Sequence, residues 1–402
     1  MIDKLIFPFV IYGSLFFYLL RFIPSWNTIG IIYLLPLFYS FCSLVAFKSI
    51  PKIIFLAVFI FFSLMALQTV YRWGYEISLT YSWLRFFFGH LVFLPFFYLY
   101  YGNHPKRITS LIPLILKITL GEVILEFILI NTLVPPTYLP NAPTGLLEQS
   151  SHFSQYSTLF GETYRPFGIG GFSQVTAPFL VALLAFYLGM NNRRRKALTV
   201  FICLVTIYLC GSGSGYFTLI ICTFLFLLLS KKIITLLPVY ISLGVLIFTA
   251  LYSTGVLSTL WEGVVTNPKT SFYKIDPIYI KALFSFFVQS VQAYLSHLSI
   301  YTAVFFFGEP MMGESDSAIL GFFKSSGSLF FLFYFISFIY FSLRYQPNAI
   351  RKRYYFIGMS ALLVGSIHYP VLFAIPSQMI ISALFAEGLM DNYKPFPLPA
   401  KG

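Results

Sequence analysis

Long apolar runs separated by short polar segments make up most of the chain. A bilayer core of about 30 Å needs roughly 20 mostly apolar residues per helix, and twelve runs approach or reach that length. They lie at about 5–23, 29–47, 53–71, 81–101, 108–133, 170–189, 197–210, 215–230, 233–252, 326–343, 355–372 and 374–390. The pattern predicts an all-α, polytopic integral membrane protein with about twelve transmembrane helices. We expect residues 1–402 to form a single membrane domain.

Composition supports this interpretation and excludes a soluble protein. Of the 402 residues, 58% are hydrophobic and only 10% are charged, whereas soluble proteins carry about 25% charged residues. The first apolar run has no small-residue cleavage site after Arg21, so we expect a retained span rather than a removed signal peptide. All four cysteines fall inside apolar runs, as expected for buried apolar side chains rather than disulfides or metal ligands.

The distribution of basic residues predicts the orientation. With the N-terminus inside, 17 of the 26 Lys and Arg residues fall in cytoplasmic segments and six in outer segments, as the positive-inside rule requires. Both termini are then cytoplasmic. The net charge of +13 is explained by these loops, including the run NNRRRK at 191–196, so we expect a lipid bilayer and no nucleic acid as a partner.

Two outer segments, at about 134–169 and 253–325, are much longer than the others. They hold seven of the 13 acidic residues, and the second contains an apolar helical stretch interrupted by Gln289, Gln292, Ser296 and His297. Long structured segments in compact proteins are usually functional. We therefore expect any chemistry to take place on the outer face.

Arg165 begins the most informative local segment, RPFGIGGFSQVTAPF. Glycines let a backbone approach a ligand closely, the amides at a helix start favour anions, and an arginine can bind phosphate with two hydrogen bonds. The alternative is that Arg165 extends to the membrane interface while the glycines assist helix packing. Both interpretations stay open.

This segment is the first of four that together resemble the O-antigen polymerase and ligase superfamily. The others are LCGSGSGYFTLI about forty residues on, GEPMMGESDSAILGFFKSSGSLFFLFYF at the end of the second long segment, and HYPVLFAIPSQ near the C-terminus. Their order and spacing cover most of the chain. The GESDSAILGFFKSSGSL stretch is closer to the Wzy-type polymerases than to the ligases. The chain departs from many members at Gln174, where they carry an acidic residue.

The resemblance implies an enzyme of the bacterial cytoplasmic membrane. Its substrate would be a polyprenyl diphosphate-linked oligosaccharide, presented at the outer leaflet and joined to another lipid-linked repeat unit without a metal or other cofactor. A flippase and a chain-length regulator would be its partners. The product, whether O-antigen, capsule or exopolysaccharide, stays open, as does a ligase that transfers glycan to a lipid acceptor.

Such a reaction needs positive charge at the leaving diphosphate, and three arginines are expected to supply it. Arg165 precedes the sixth span. Arg85 lies inside the fourth span, where a charge is costly unless it faces a polar cavity or an anion. Arg72 stands four residues before Glu76, so a surface salt bridge is its alternative role.

The acceptor hydroxyl needs a group that takes its proton. The candidates for this catalytic role are Asp316, Glu314 and His297. Glu314-Ser315-Asp316 has two other interpretations: a helix cap ahead of the following apolar segment, or a metal site, which no further clustered ligands support.

A lipid-linked oligosaccharide transporter or flippase stays open as a different class. Its sites would be Lys117, Glu122 and Glu126, which share the fifth span and are alternatively a Lys–Glu network that holds this span to its neighbours. Transporters are usually built from two related halves, and no such repeat is visible here. His90 and His368 are interpreted as packing residues.

Overall fold

The structure, a computed structural model, describes residues 8, 10–12, 36–41, 51–71, 85–103, 108–133, 155–158, 161–171, 173–190, 196–229, 306–308, 318–367 and 369–392. These residues are mostly helical. The helices are α1 Lys52–Tyr71, α2 Arg85–Asn103, α3 Ile108–Ile128, α4 Ser173–Gly189, α5 Lys196–Leu209, α6 Gly213–Leu228, α7 Ala318–Arg344, α8 Lys352–Gly365 and α9 Ile375–Asn392. Each overlaps a predicted apolar run. The predicted runs at 5–23, 29–47 and 233–252 lie wholly or mostly outside the described residues.

Two of the described helices are long and apolar enough to cross a bilayer: Lys52–Val70 within α1 and Gly321–Arg344 within α7. Helices α4, α5 and α6 are also apolar but shorter. In α1 the side chains of Phe55, Phe59 and Phe62 are exposed, which suits a surface that faces lipid rather than water. These features favour a membrane protein, although the described helices do not establish the predicted total of twelve spans.

Contacts between helix termini define one end of the bundle, which we call the glycine-turn end. Here the last turn of α3 contacts residues 165–171, which lead into α4. The end of α8 meets α4, since a Cβ placed on Gly365 would lie 2.6 Å from Pro178 Cβ. The start of α2 packs against the start of α9, with the Gln378 side chain lying directly over Gly89.

The opposite end of the bundle, which we call the basic end, is closed by side chains that satisfy helix termini. The buried carboxylate of Glu387 in α9 accepts a hydrogen bond from the Ile108 N–H at the first residue of α3, at 2.7 Å. Lys196 donates from Nζ to the carbonyls of Leu188 and Met190 at the end of α4, both at 3.1 Å. Further basic residues at this end are Arg344, Arg351, Lys352 and Arg353.

Helix α7 differs from its prediction. It begins at Ala318, eight residues before the predicted start at about 326, and it is broken at Gly327, which has a φ of 78° and a ψ of 169°. A left-handed φ of this kind favours glycine because it has no Cβ. Helix α8 also ends earlier than expected, at Gly365 rather than at about 372.

The first long segment, at about 134–169, contains a hairpin for which no strands were predicted. Strands β1 Gln155–Thr158 and β2 Gly161–Tyr164 pair antiparallel, with Gln155 opposite Tyr164 and Thr158 opposite Gly161. Before the hairpin, the end of the α3 helix widens into a π-helical turn, Leu129–Leu133. The hairpin delivers the chain directly to Arg165.

Candidate functional site: a clamped glycine turn around Arg165

Residues 165–171, which we call the glycine turn, connect β2 to α4. Gly168 and Gly171 have φ values of 65° and 84°, a backbone conformation that favours glycine. Space also requires glycine at position 168, because a Cβ there would lie 2.4 Å from the Thr176 side chain. The glycine-containing motif after Arg165 therefore forms a specific, tightly folded turn.

Two side chains at the end of the α3 helix hold this turn in place. The Glu126 carboxylate accepts the Gly168 N–H at 2.8 Å, across 42 residues of sequence. One π-turn later, Asn131 contacts both backbone groups of Tyr164: its Oδ1 accepts the N–H at 2.6 Å and its Nδ2 donates to the carbonyl at 3.1 Å. Tyr164 and Gly168, which lie on either side of Arg165 in the sequence, are thereby both bonded to the α3 helix and its π-turn.

Thr176, in the first turn of α4, closes the other side of the glycine turn. Its Oγ1 donates to the Phe167 carbonyl at 2.8 Å and accepts the Gly170 N–H at 2.9 Å. The Gly171 N–H donates to the Gly168 carbonyl at 3.0 Å. The amides of all three glycines therefore bond within the protein. These three donors are therefore engaged in holding the turn.

Arg165 is buried in this structure, with 6% of its surface exposed. A side chain buried to this extent does not extend to the membrane interface, so the observed placement differs from the interfacial alternative considered for the sequence. Its guanidinium lies within electrostatic range of the Tyr216 hydroxyl in α6. A buried guanidinium strongly favours anionic partners.

The Ser/Gly turn, defined here as residues 211–215, packs directly against the start of α4. Ser214 donates from Oγ to the Gln174 carbonyl at 2.9 Å, and its hydroxyl also contacts that of Ser212 at 2.9 Å. A Cβ on Gly215 would lie only 2.4 Å from the Ala177 Cβ. The two motifs that carry the first part of the family resemblance, about forty residues apart in sequence, therefore form one structural unit.

Acidic groups of α3 lie beneath this unit. Glu122 and Glu126 both act electrostatically on the thiol of Cys210, the residue that precedes the Ser/Gly turn. Lys117, on the same helix, is exposed. Glu126 thus ties α3 to the glycine turn, a contact that the predicted Lys–Glu network did not include.

The other predicted site residues are placed only in part. Arg85 is the first residue of α2, at the glycine-turn end. Arg72, His297, Glu314 and Asp316 lie outside the described residues, and so does His368. The structure therefore places the Ser/Gly turn against the start of α4, next to the glycine turn that contains Arg165. It does not describe how the candidates outside the described residues lie relative to Arg165.

His90 has the packing role that its position in an apolar helix suggested. Its Nδ1 lies 3.3 Å from the Ser382 hydroxyl and its Nε2 lies 3.1 Å from the Tyr334 hydroxyl. These contacts connect α2 with α9 and α7 in an otherwise apolar region. Among the described residues, no group of three or more His, Cys, Asp and Glu side chains is arranged to hold a metal ion.

Sequence reasoning did not assign Glu126, Asn131 and Thr176 to this site. Thr176 lies inside the quoted motif, and its spacing from Gly170 was the available signal. The other two residues belong to α3, and only the packing of that helix against the turn identifies them. Comparisons with protein-family models, with curated proteins and with solved structures find no match to this chain.

Proposed function

We propose that this protein is a membrane glycosyltransferase, a polysaccharide polymerase of the Wzy type within the O-antigen polymerase and ligase superfamily. It would join polyprenyl diphosphate-linked oligosaccharide repeat units at the outer face of the bacterial cytoplasmic membrane. The proposal includes the full layout of about twelve spans with both termini inside.

The observation that carries this proposal is the buried Arg165 in its clamped turn. Arg165 is 6% exposed and stands in a turn that is bonded to α3 and to α4, and a guanidinium is the side chain that binds a diphosphate with two hydrogen bonds. The packing of the Ser/Gly turn against the start of α4, directly after the glycine turn, adds support, because the resemblance links these same two segments.

The charge distribution supports the orientation in this proposal. The basic end carries Lys196, Arg344, Arg351, Lys352 and Arg353, and an excess of Lys and Arg marks the cytoplasmic side of membrane proteins. The glycine-turn end would then face outward, where a lipid-linked glycan is presented after it has crossed the membrane.

In the proposed reaction, the hydroxyl oxygen of one lipid-linked unit attacks the anomeric carbon of the other. The new glycosidic bond forms as the bond from that carbon to the diphosphate oxygen breaks, and the hydroxyl proton passes to a base. Arg165, with Arg85 and Arg72, would stabilise the negative charge that develops on the departing polyprenyl diphosphate. Asp316, Glu314 or His297 would accept the proton.

The decisive experiment uses purified protein in vesicles with lipid-linked oligosaccharide extracted from the source cells. We expect glycan chains longer than one repeat to form on the lipid carrier. Movement of intact units across the vesicle membrane without longer chains would instead identify a transporter. Transfer only to a different lipid acceptor would identify a ligase.

Arg165 provides the residue-level test in the same assay. We expect Arg165→Ala to abolish chain growth while the protein stays inserted and abundant, because a cation at the leaving group is lost. Arg165→Lys should restore activity only in part, since an ammonium cannot reproduce the planar two-point contact of a guanidinium. Normal polymer from the Ala variant would remove Arg165 from the site.

A further inference from the structure

We infer that Glu126 is a positioning residue that holds Arg165 in its working geometry through the Gly168 amide. The inference rests on the proposed function, since it assumes that Arg165 acts on the diphosphate. It adds Glu126, a residue of α3, to the arginines and bases considered above.

The geometry of the glycine turn supports this role. Arg165 stands between two points that are fixed to the α3 helix and its π-turn: Tyr164 on one side, bonded to Asn131, and Gly168 on the other, bonded to Glu126. Gly168 has a left-handed φ of 65°, so the Glu126 contact falls at a position where the chain turns. Loss of this contact would remove the bond that ties this side of the turn to α3.

Glu126 is itself almost fully buried, with 9% of its surface exposed. A buried acceptor that bonds a main-chain N–H contributes more to order than an exposed one, because no water replaces it when it is removed. Displacing a catalytic group by about 1 Å can reduce a rate about 100-fold. Small movements of the turn should therefore be visible in the kinetics of glycan transfer.

Two substitutions separate the hydrogen bond from the charge. Glu126→Gln keeps the length of the side chain and an oxygen that can accept the Gly168 N–H, but it removes the charge. Glu126→Asp keeps the charge but withdraws the acceptor by one methylene. If Glu126 acts by holding Gly168, the Gln variant retains most of kcat/KM, whereas the Asp variant loses about 10–100-fold. The loss should fall on the same kinetic parameter that Arg165→Lys changes.

A double-mutant comparison tests whether Glu126 works through Arg165. Residues that act as one unit show strongly non-additive effects. Adding Glu126→Asp to Arg165→Lys should therefore lower kcat/KM much less than Glu126→Asp lowers it in the otherwise unchanged protein. Independent, additive losses would overturn the inference.

Glu387 provides a matched control at the basic end. It is also a buried carboxylate that accepts a main-chain N–H from a different helix, at 2.7 Å from Ile108. Glu387→Asp should lower thermal stability to a similar degree as Glu126→Asp but leave kcat/KM per folded protein unchanged. Equal kinetic losses in both variants would assign Glu126 a structural role only.

The outcomes distinguish this inference from the proposed function. If Arg165→Ala abolishes chain growth but Glu126→Asp is as active as Glu126→Gln or more so, Glu126 does not position Arg165 and the proposed function stands. If Arg165→Ala has normal activity, the site assignment fails first and the inference falls with it.

Discussion

Gln68 shows how a single side chain supports an interruption in a membrane helix. Its Nε2 donates to the Phe307 carbonyl at 2.7 Å and to the Ser326 carbonyl at 3.3 Å, and the side chain is fully buried in α1. These two carbonyls flank the place where Gly308 and Gly327 bring their backbones together. Backbone groups that leave the helical pattern inside a membrane need such partners.

Replacing this amide should therefore destabilise the protein. Gln68→Leu leaves two buried carbonyls without this donor, and we expect a loss of about 1–3 kcal/mol in the free energy of unfolding. Thermal unfolding in detergent measures the effect. Thr69→Ala is the control, because the Thr69 hydroxyl donates within its own helix, to the Met65 carbonyl one turn earlier at 2.7 Å. Equal stability of the two variants would contradict the bridging role of Gln68.

At the next level, the contact between α4 and α6 depends on the small residues of the Ser/Gly turn. Gly215 faces Ala177 so closely that a Cβ would approach to 2.4 Å, whereas a Cβ on Gly213 would meet nothing within 4 Å. The two glycines stand two residues apart in the same motif. Substituting each glycine in turn therefore shows whether the motif needs close helix packing, at Gly215, or a flexible turn, at Gly213.

Gly215→Ala should push α6 away from α4 and weaken the Ser214 bond to Gln174. Overpacking of this kind costs about 1–3 kcal/mol, and glycan chain growth should fall because the glycine turn precedes the same end of α4. Gly213→Ala should leave both thermal stability and chain growth close to normal. Similar defects in the two variants would show that turn flexibility, not the α4–α6 contact, is what matters.

The length of the apolar runs predicted these helices well, because helix formation in an apolar setting depends mainly on local sequence. Helix α4, predicted at 170–189, spans Ser173–Gly189, and α9, predicted at 374–390, spans Ile375–Asn392. The β1–β2 hairpin and the break at Gly327 were not predicted. Both depend on contacts with distant residues, Asn131 and Gln68 respectively, which a hydropathy pattern does not contain.

The same distinction applies to the candidate site. Arg165 and its glycines were recognised because charge and glycine are unusual at the start of an apolar helix. Glu126 was seen only as one of several ionisable residues in a span, since sequence does not tell which face of α3 meets the turn 42 residues later. The local sequence thus pointed to the candidate residue, and tertiary packing identified what holds its turn.

The two ends of the bundle differ in their charged residues. Among the described residues, the glycine-turn end has the left-handed glycines at 168 and 171, whereas the basic end carries several Lys and Arg residues around the 345–351 connection. Arg353 lies over the Phe226 and Tyr354 rings, at 5.7 Å and 4.9 Å from their centroids. Such an anchor fits the cytoplasmic side of a membrane, where basic residues resist transfer across the bilayer.

This asymmetry predicts which positions a membrane-impermeant thiol reagent can reach. We expect Glu148→Cys and Asp276→Cys, in the two long segments, to be labelled in intact cells, or in spheroplasts where an outer membrane is present. Asn348→Cys should be labelled only after the membrane is opened, because Asn348 is exposed at the basic end. Its contact with Asp391 uses the backbone N–H and survives the substitution.

Cys203, Cys210 and Cys222 are buried and should give little background labelling, and Cys42 is replaced beforehand. Labelling of Asn348→Cys in intact cells would invert the proposed orientation and place Arg165 on the cytoplasmic side, where no outward-presented glycan could reach it.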